Sequence, residues 1–431
     1  MNTRNIITTI LLAVVSITAN AQEGAWKGEL DIQGMKLPLV FNFNADGCTM
    51  DSPSQGANGI AAEKSVSEDG TIKVSVKMIG ATFTGKKDGE SIKGTFTQNG
   101  FSLPLTLTPG KPVVNRPQTP VAPFPYKEEN VSFTNDGYTF NGTLTLPQNC
   151  TKRTPVVLMV TGSGQQNRDE ELFEHKPFAV IADALARNGI ASLRYDDRGW
   201  GDKTVNFFDF TTDDFKQDAE AGLKLLRGRF SEVGILGHSE GGTIALLLAE
   251  EGKPDFIVSL AGMAVSGKAT LMAQNRIGMM SIGLPATVVD SYCNAMDKIL
   301  DELADGKKVS EISSDNIPAM LKATFEKTIQ QADNKYMRHI ISIDPSKSLD
   351  KIKCPVLALN GTKDAQVDCT SNLDTLAKGL TNCKHTLKTM EGLNHLFQHC
   401  QTGSILEYQQ IEETISPEVL DTITGWIKTL K

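Results

Sequence analysis

Ser239 sits in the run Gly237-His238-Ser239-Glu240-Gly241, entered from the apolar stretch Val233 to Leu236 and left through a helix-forming stretch, Thr243 to Glu250. A serine at a strand-to-helix turn takes a strained backbone conformation. Glycines two residues before and two after it remove the side chains that would collide. The helix that follows aims its unpaired N–H groups and positive end at the oxygen where charge gathers during acyl transfer. The stretch therefore offers a nucleophile and half of an oxyanion hole.

A serine hydroxyl is a weak nucleophile until a base takes its proton, and that base needs a carboxylate to hold its tautomer. Asp364 closes Leu357-Ala358-Leu359-Asn360-Gly361-Thr362-Lys363-Asp364, where an apolar strand ends in a glycine turn. His395 closes Glu391-Gly392-Leu393-Asn394-His395, just past a second strand, Thr386 to Met390. Both are expected on loops at the carboxyl ends of strands, the edge that also carries Ser239. Of the other histidines, His238 is held by the turn itself, and His175, His339 and His385 lack the strand-then-glycine setting. His399, four residues from His395, is the rival base; Asp374 and Glu391 are the alternative acids. The first oxyanion donor is the N–H of Glu240. The second is expected from Thr161-Gly162-Ser163-Gly164-Gln165, with the Ser163 N–H as the candidate and Gly164 or Gln165 as substitutes.

These groups need a scaffold. Apolar strands Pro155 to Thr161, Ile190 to Tyr195, Val233 to Leu236, Phe256 to Ala261 and Val356 to Leu359 alternate with helices at Phe178 to Asn188 and Asp213 to Arg227. That alternation predicts a mainly parallel sheet covered on both faces. The excursion from 262 to 352 is helix-rich and too long for a loop, so it reads as a cap. Its methionines, Met272, Met279, Met280, Met296 and Met320, fit cap core or an adaptable pocket. Residues 22–108 read as a small antiparallel β domain. Ile72, Val74, Val76 and Met78 alternate with polar residues, as do Phe101, Leu103, Leu105 and Leu107, with Asn99-Gly100 as a hairpin turn and Trp26 in the core. Six of the 18 prolines crowd into 109–125, a stiff linker to the second domain at 126–431.

With 431 residues, 40% hydrophobic, the chain has apolar material for two domains. A formal charge of −8 supplies no attraction for nucleic acid or anionic membrane. Arg4, the apolar run Ile6 to Val15 and Ala19-Asn20-Ala21 form an export signal over residues 1–21, too short to span a bilayer. Seven cysteines lack C-x-x-C spacing, so no metal site is expected; Cys369 and Cys400 form a conceivable pair, with isolated thiols the commoner outcome.

From about Tyr126 to Lys431 the chain resembles the α/β-hydrolase superfamily, and within it the secreted bacterial carboxylesterases of the serine aminopeptidase-like group. The resemblance is carried by Gly162-Ser163-Gly164-Gln165-Gln166-Asn167-Arg168-Asp169-Glu170, Arg194-Tyr195-Asp196-Asp197-Arg198-Gly199, Gly237-His238-Ser239-Glu240-Gly241-Gly242 and Pro355 to Asp364. Thr161-Gly162 stands where the superfamily usually has histidine-glycine. The resemblance implies an α/β-hydrolase fold with a helical cap, behind a small N-terminal all-β domain. It also implies an exported hydrolase of small-molecule or glycan-linked esters that needs no metal or organic cofactor. Subunit number is left open. A peptidase of the same fold would need a cap carboxylate such as Glu302, Glu311 or Glu326; a glycan- or peptide-binding protein with a vestigial hydrolase domain is the other alternative. Arg168, Asp169, Asp197 and Arg198 read as organisers of loop geometry.

Overall fold

A computed structural model describes residues 23–430 apart from 33–34, 45–46, 56, 99, 112–114 and 282. The export signal and the turn residue Asn99 lie outside the described residues. The chain divides into two compact units, up to residue 113 and from residue 114 onward.

The first unit is a closed antiparallel barrel in which strands pair in chain order: β1 (Gly24–Ile32), β2 (Met35–Asn44), β3 (Gly47–Ser52), β4 (Ala57–Val66), β5 (Thr71–Val76), β6 (Ala81–Asp88), β7 (Ser91–Gln98) and β8 (Phe101–Pro109). Eight strands make an interior just wide enough for side chains to fill. Phe41, Phe43, Phe83, Ile72, Val74, Val76 and Trp26 occupy it. The inward rows are shorter than alternation suggests. Met78 falls in a 3-10 turn after β5 and is 74% exposed; Phe101 opens β8 beside a turn and is 80% exposed.

The second unit holds an eight-stranded sheet of order β16-β15-β14-β13-β11-β12-β10-β9. Five of its strands are buried along their length: β11 (Val156–Val160), β12 (Ala191–Tyr195), β13 (Val233–His238), β14 (Ile257–Leu260) and β15 (Val356–Gly361). These strands and β16 (His385–Met390) run parallel. An antiparallel hairpin that periodicity did not announce, β9 (Lys127–Asn135) and β10 (Tyr138–Leu146), joins through β10 to β12. Strand alternation splits the core. Val156, Leu158 and Val160 face helices α2 (Thr212–Arg227), α3 (Glu240–Glu250) and α8 (Cys369–Gly379), while Val157 and Met159 face α1 (Pro177–Arg187) and α9 (Pro417–Lys428). Thr211 and Asp214 form a reciprocal capping box that starts α2.

Between β14 and β15 lie the helices α4 (Gly267–Ser281), α5 (Ala286–Ala304), α6 (Lys322–Gln331) and α7 (Lys335–Ser342). They enclose a core of their own around Val289, Met296, Leu300, Leu303 and Phe325, against which Met272 and Met279 pack. Met280 and Met320 are instead exposed.

Part of the proline-rich stretch is fastened to the second unit. The Arg116 guanidinium donates to the carbonyls of Phe173, Gln409 and Ile411, each at 2.8 Å in its shortest contact, and Gln118 bonds the backbone of Thr414 and Ile415. All seven cysteines are free thiols. Cys369 and Cys400 point to the carbonyls of Asn360 and Gly392 rather than to each other, so that conceivable pair does not form. Among the described residues no helix is long and apolar enough to cross a membrane.

Candidate active site

Ser239 follows β13 directly and precedes α3, with φ 53° and ψ −119°. A serine holds such a backbone, at a cost of about 1–3 kcal/mol, only where its surroundings enforce it. Here they do. A Cβ on Gly237 would lie 2.0 Å from the Gly241 carbonyl oxygen, and one on Gly241 would lie 2.0 Å from that of Val160. Only glycines fit, and the tight turn they allow carries the serine clear of the sheet.

Asp364 and His395 come together from two neighbouring strand ends. His395 Nδ1 and Asp364 Oδ2 are 2.8 Å apart, and both residues are buried. Asp364 Oδ1 also accepts the N–H groups of Gln366 and Val367, at 2.8 and 2.9 Å, so one oxygen is anchored to its own loop while the other faces the imidazole. The histidine loop is equally fixed: Asn394 Oδ1 accepts the N–H groups of Leu396 and Gln398, and Asn394 is fully buried. Ser239 and His395 line one cavity of about 640 Å³, together with Ser163 and Glu240.

The other histidines are engaged elsewhere. His399 is exposed and pairs with Glu413 at 2.8 Å. His175 is buried between Thr414 and the Tyr408 carbonyl, and burial lowers its pKa to about 4. Asp374 and Glu391 are exposed.

The loop after β11 is held by two carboxylates, the buried Glu170 and the half-buried Asp197. Glu170 Oε1 accepts the Gly162 N–H at 2.7 Å, and Asp197 accepts the Thr161 hydroxyl at 2.8 Å and the Gln166 N–H at 2.7 Å. Gly162 and Gln166 are thereby committed, which leaves Ser163, Gly164 and Gln165 as N–H sources. Burial lifts the Asp197 carboxyl well above the ordinary range. The negative charges of Glu170 and Glu240 add to that, against the Gln166 and Thr161 bonds.

Glu240 contributes more than the backbone N–H expected of it. Its carboxylate is buried and accepts hydroxyls from Thr212 at 2.6 Å and from Tyr336, on α7, at 2.7 Å. Burial raises its pKa; the Thr212, Tyr336 and Ser163 hydroxyls oppose that rise without cancelling it. Sequence reasoning missed Tyr336 because a tyrosine nearly a hundred residues downstream carries no local signal. Glu170 was visible within a quoted motif but had no role there.

Arg168 pairs with Asp196, Arg194 with Asp169 and Glu128, and Arg198 with Asp218 and Asp136. None of the four charged residues read as loop organisers lines the large cavity. Its apolar side instead comes from Met263, Leu271, Met337 and Ile340. The methionines of the pocket are thus Met263 and Met337, not the five that stood out in the sequence. Glu302 and Glu311 line a separate cap cavity of about 520 Å³, and Glu326 bonds Ser314.

Residues 174–399, more than half of the chain, match the family described as serine aminopeptidase, S33. The chain is 27% identical over 277 residues to esterase EstD of Thermotoga maritima, a match covering 63% of this chain and 62% of the relative's length. Among solved structures, Est1E from Butyrivibrio proteoclasticus is similar at a TM-score of 0.42 and 17% identity, over 70% of this chain and 98% of that one. The Pyrococcus furiosus esterase Pf2001 is similar at 0.43 and 15%, over 74% and 98%. These structural likenesses bear on neither substrate nor mechanism. The chain has the α/β-hydrolase fold and belongs to the S33 serine aminopeptidase family.

Proposed function

We propose that this protein is an exported serine carboxylesterase. The observation that carries the reading is the 2.8 Å contact between His395 Nδ1 and Asp364 Oδ2 beside a cavity that the strained Ser239 also lines. Ser239 Oγ attacks the ester carbonyl carbon while His395 Nε2 takes its proton. Asp364 holds the tautomer that leaves Nε2 free and stabilises the imidazolium. The Glu240 and Ser163 N–H groups receive the charge on the carbonyl oxygen. Nε2 then returns the proton to the departing alcohol, leaving an acyl-Ser239. Water, deprotonated by the same nitrogen, attacks the acyl carbon; the acyl–Oγ bond breaks, Nε2 returns the proton to Ser239 Oγ, and the carboxylic acid leaves.

Among the described residues no lysine or arginine lines the cavity, and its walls combine methionine and aliphatic side chains with the amides of Gln165, Gln166, Gln274 and Gln366. Such a lining suits uncharged esters with a modest apolar acyl group, free or carried on a glycan. A peptidase would need a free carboxylate to grip the substrate amine. Glu171 lines the cavity but is already bonded to Asn167 and lies 3.5 Å from Lys176. Export rests on the leader, Arg4 with Ile6 to Val15 and Ala19-Asn20-Ala21.

A chromogenic short-chain ester set beside an aminoacyl anilide tests the reading. The expected result is turnover of the ester alone, abolished by Ser239→Ala. Faster anilide cleavage would make the protein a peptidase, and equal, negligible turnover by native and variant proteins would make it a binding protein.

A further inference from the structure

Glu170 and His238 have no part in the steps above, yet both are buried against the groups that perform them. Glu170 Oε1 accepts the Gly162 N–H at 2.7 Å and faces His238 Nδ1 at 2.9 Å; on the far side of the ring, His238 Nε2 faces the His395 carbonyl oxygen at 2.9 Å. A carboxylate and a carbonyl both accept, so both ring nitrogens donate, and His238 is an imidazolium. Burial disfavours that charge, but Glu170 and the His395 carbonyl outweigh it and hold the His238 pKa above its ordinary value. Glu170 itself takes a left-handed backbone, φ 51°, unusual for a glutamate and a sign that its position is enforced.

We propose that Glu170 and His238 form a positioning pair that fixes the distance between the oxyanion donor and the catalytic base. Gly162 immediately precedes Ser163 at the end of β11, His238 precedes Ser239 at the end of β13, and His395 follows β16. Three loops far apart in sequence are joined by one line of hydrogen bonds, from the Gly162 amide to the His395 carbonyl. Apolar packing would fill the same space without setting direction, whereas a charged, doubly bonded imidazolium sets both direction and distance. An error of about 1 Å in such placement costs on the order of 100-fold in rate. This inference rests on the serine-esterase reading above.

Asparagine places its N–H near the position of histidine Nδ1, and glutamine places its own near Nε2. His238→Asn therefore keeps the bond to Glu170 and loses that to His395, and His238→Gln does the reverse. The double variant E170Q/H238N replaces the ion pair with a neutral one, still lacks the bond to His395, and avoids stranding a buried charge. With folding checked by circular dichroism, each variant should lose about 10- to 100-fold in kcat on the chromogenic ester, with KM within about threefold. A folded double variant with native kcat, or a loss confined to KM, overturns the proposal. If none of the variants folds, proton NMR of the native protein decides. Two protected ring N–H signals assigned to His238 support the pair, and a single one overturns it. Persistent turnover in Ser239→Ala would instead sink the esterase reading on which the pair depends.

Discussion

Tyr336, on the last helix of the cap, donates its hydroxyl to the carboxylate of Glu240, the residue next to Ser239, at 2.7 Å. The cap is thereby pinned at the helix end proposed to supply the oxyanion donor, and the pin is buried: Tyr336 and Glu240 are each 5% exposed.

Removing that hydroxyl should loosen the cap. Tyr336→Phe leaves a buried carboxylate short of one donor, which costs about 1–3 kcal/mol. The expected outcome is a lower melting temperature by calorimetry, with ester turnover reduced but present. An unchanged melting temperature would mean that water replaces the phenol.

Glu240 also predicts a pH dependence. Its carboxyl is raised by burial, so the folded protein keeps this proton to a higher pH than the unfolded chain does. Between the ordinary glutamate value and the raised one, the folded state binds more protons, and stability falls as pH rises. Glu240→Gln retains an acceptor and removes the titration. The melting temperature of the variant relative to native protein should climb across that window, and a difference independent of pH would contradict the assignment.

Asp364→Asn separates orientation from fold. The asparagine carbonyl can still accept the Gln366 and Val367 N–H groups, but its amide faces His395 Nδ1 and forces the proton onto Nε2, the atom needed as base. A loss of about 10³- to 10⁴-fold in kcat is expected, with near-native circular dichroism. Labelling of Ser239 by a fluorophosphonate should slow in parallel.

Ser163 tests the oxyanion donor. With Gly162 and Gln166 committed to carboxylates, Ser163→Pro, which deletes an N–H, should lower kcat by about 100- to 1000-fold. Ser163→Ala keeps the N–H and should stay within about tenfold of native, because only the hydroxyl near Glu240 is lost. Equal losses in the two variants would move the donor role to Gly164 or Gln165.

The sequence by itself determined the parts whose signal is local. The Gly237 to Gly241 turn was legible because only glycine fits where a Cβ would meet a backbone oxygen 2.0 Å away. Continuous apolar runs revealed the parallel strands because both faces are buried, and period-two alternation revealed two of the eight barrel strands, β5 and β8, because one face is. Asp364 and His395 could be named because each closes a strand-and-glycine stretch. The hairpin of β9 and β10 escaped notice because its exposed edge strand, Lys127–Asn135, carries little apolar patterning. Only the tertiary structure decided which residues brace these parts. Tyr336 reaches Glu240 across 96 positions, Glu170 reaches His238 across 68, and His238 reaches the His395 carbonyl across 157. Such contacts depend on where whole elements pack against one another, and short-range periodicity and turn chemistry hold no record of that.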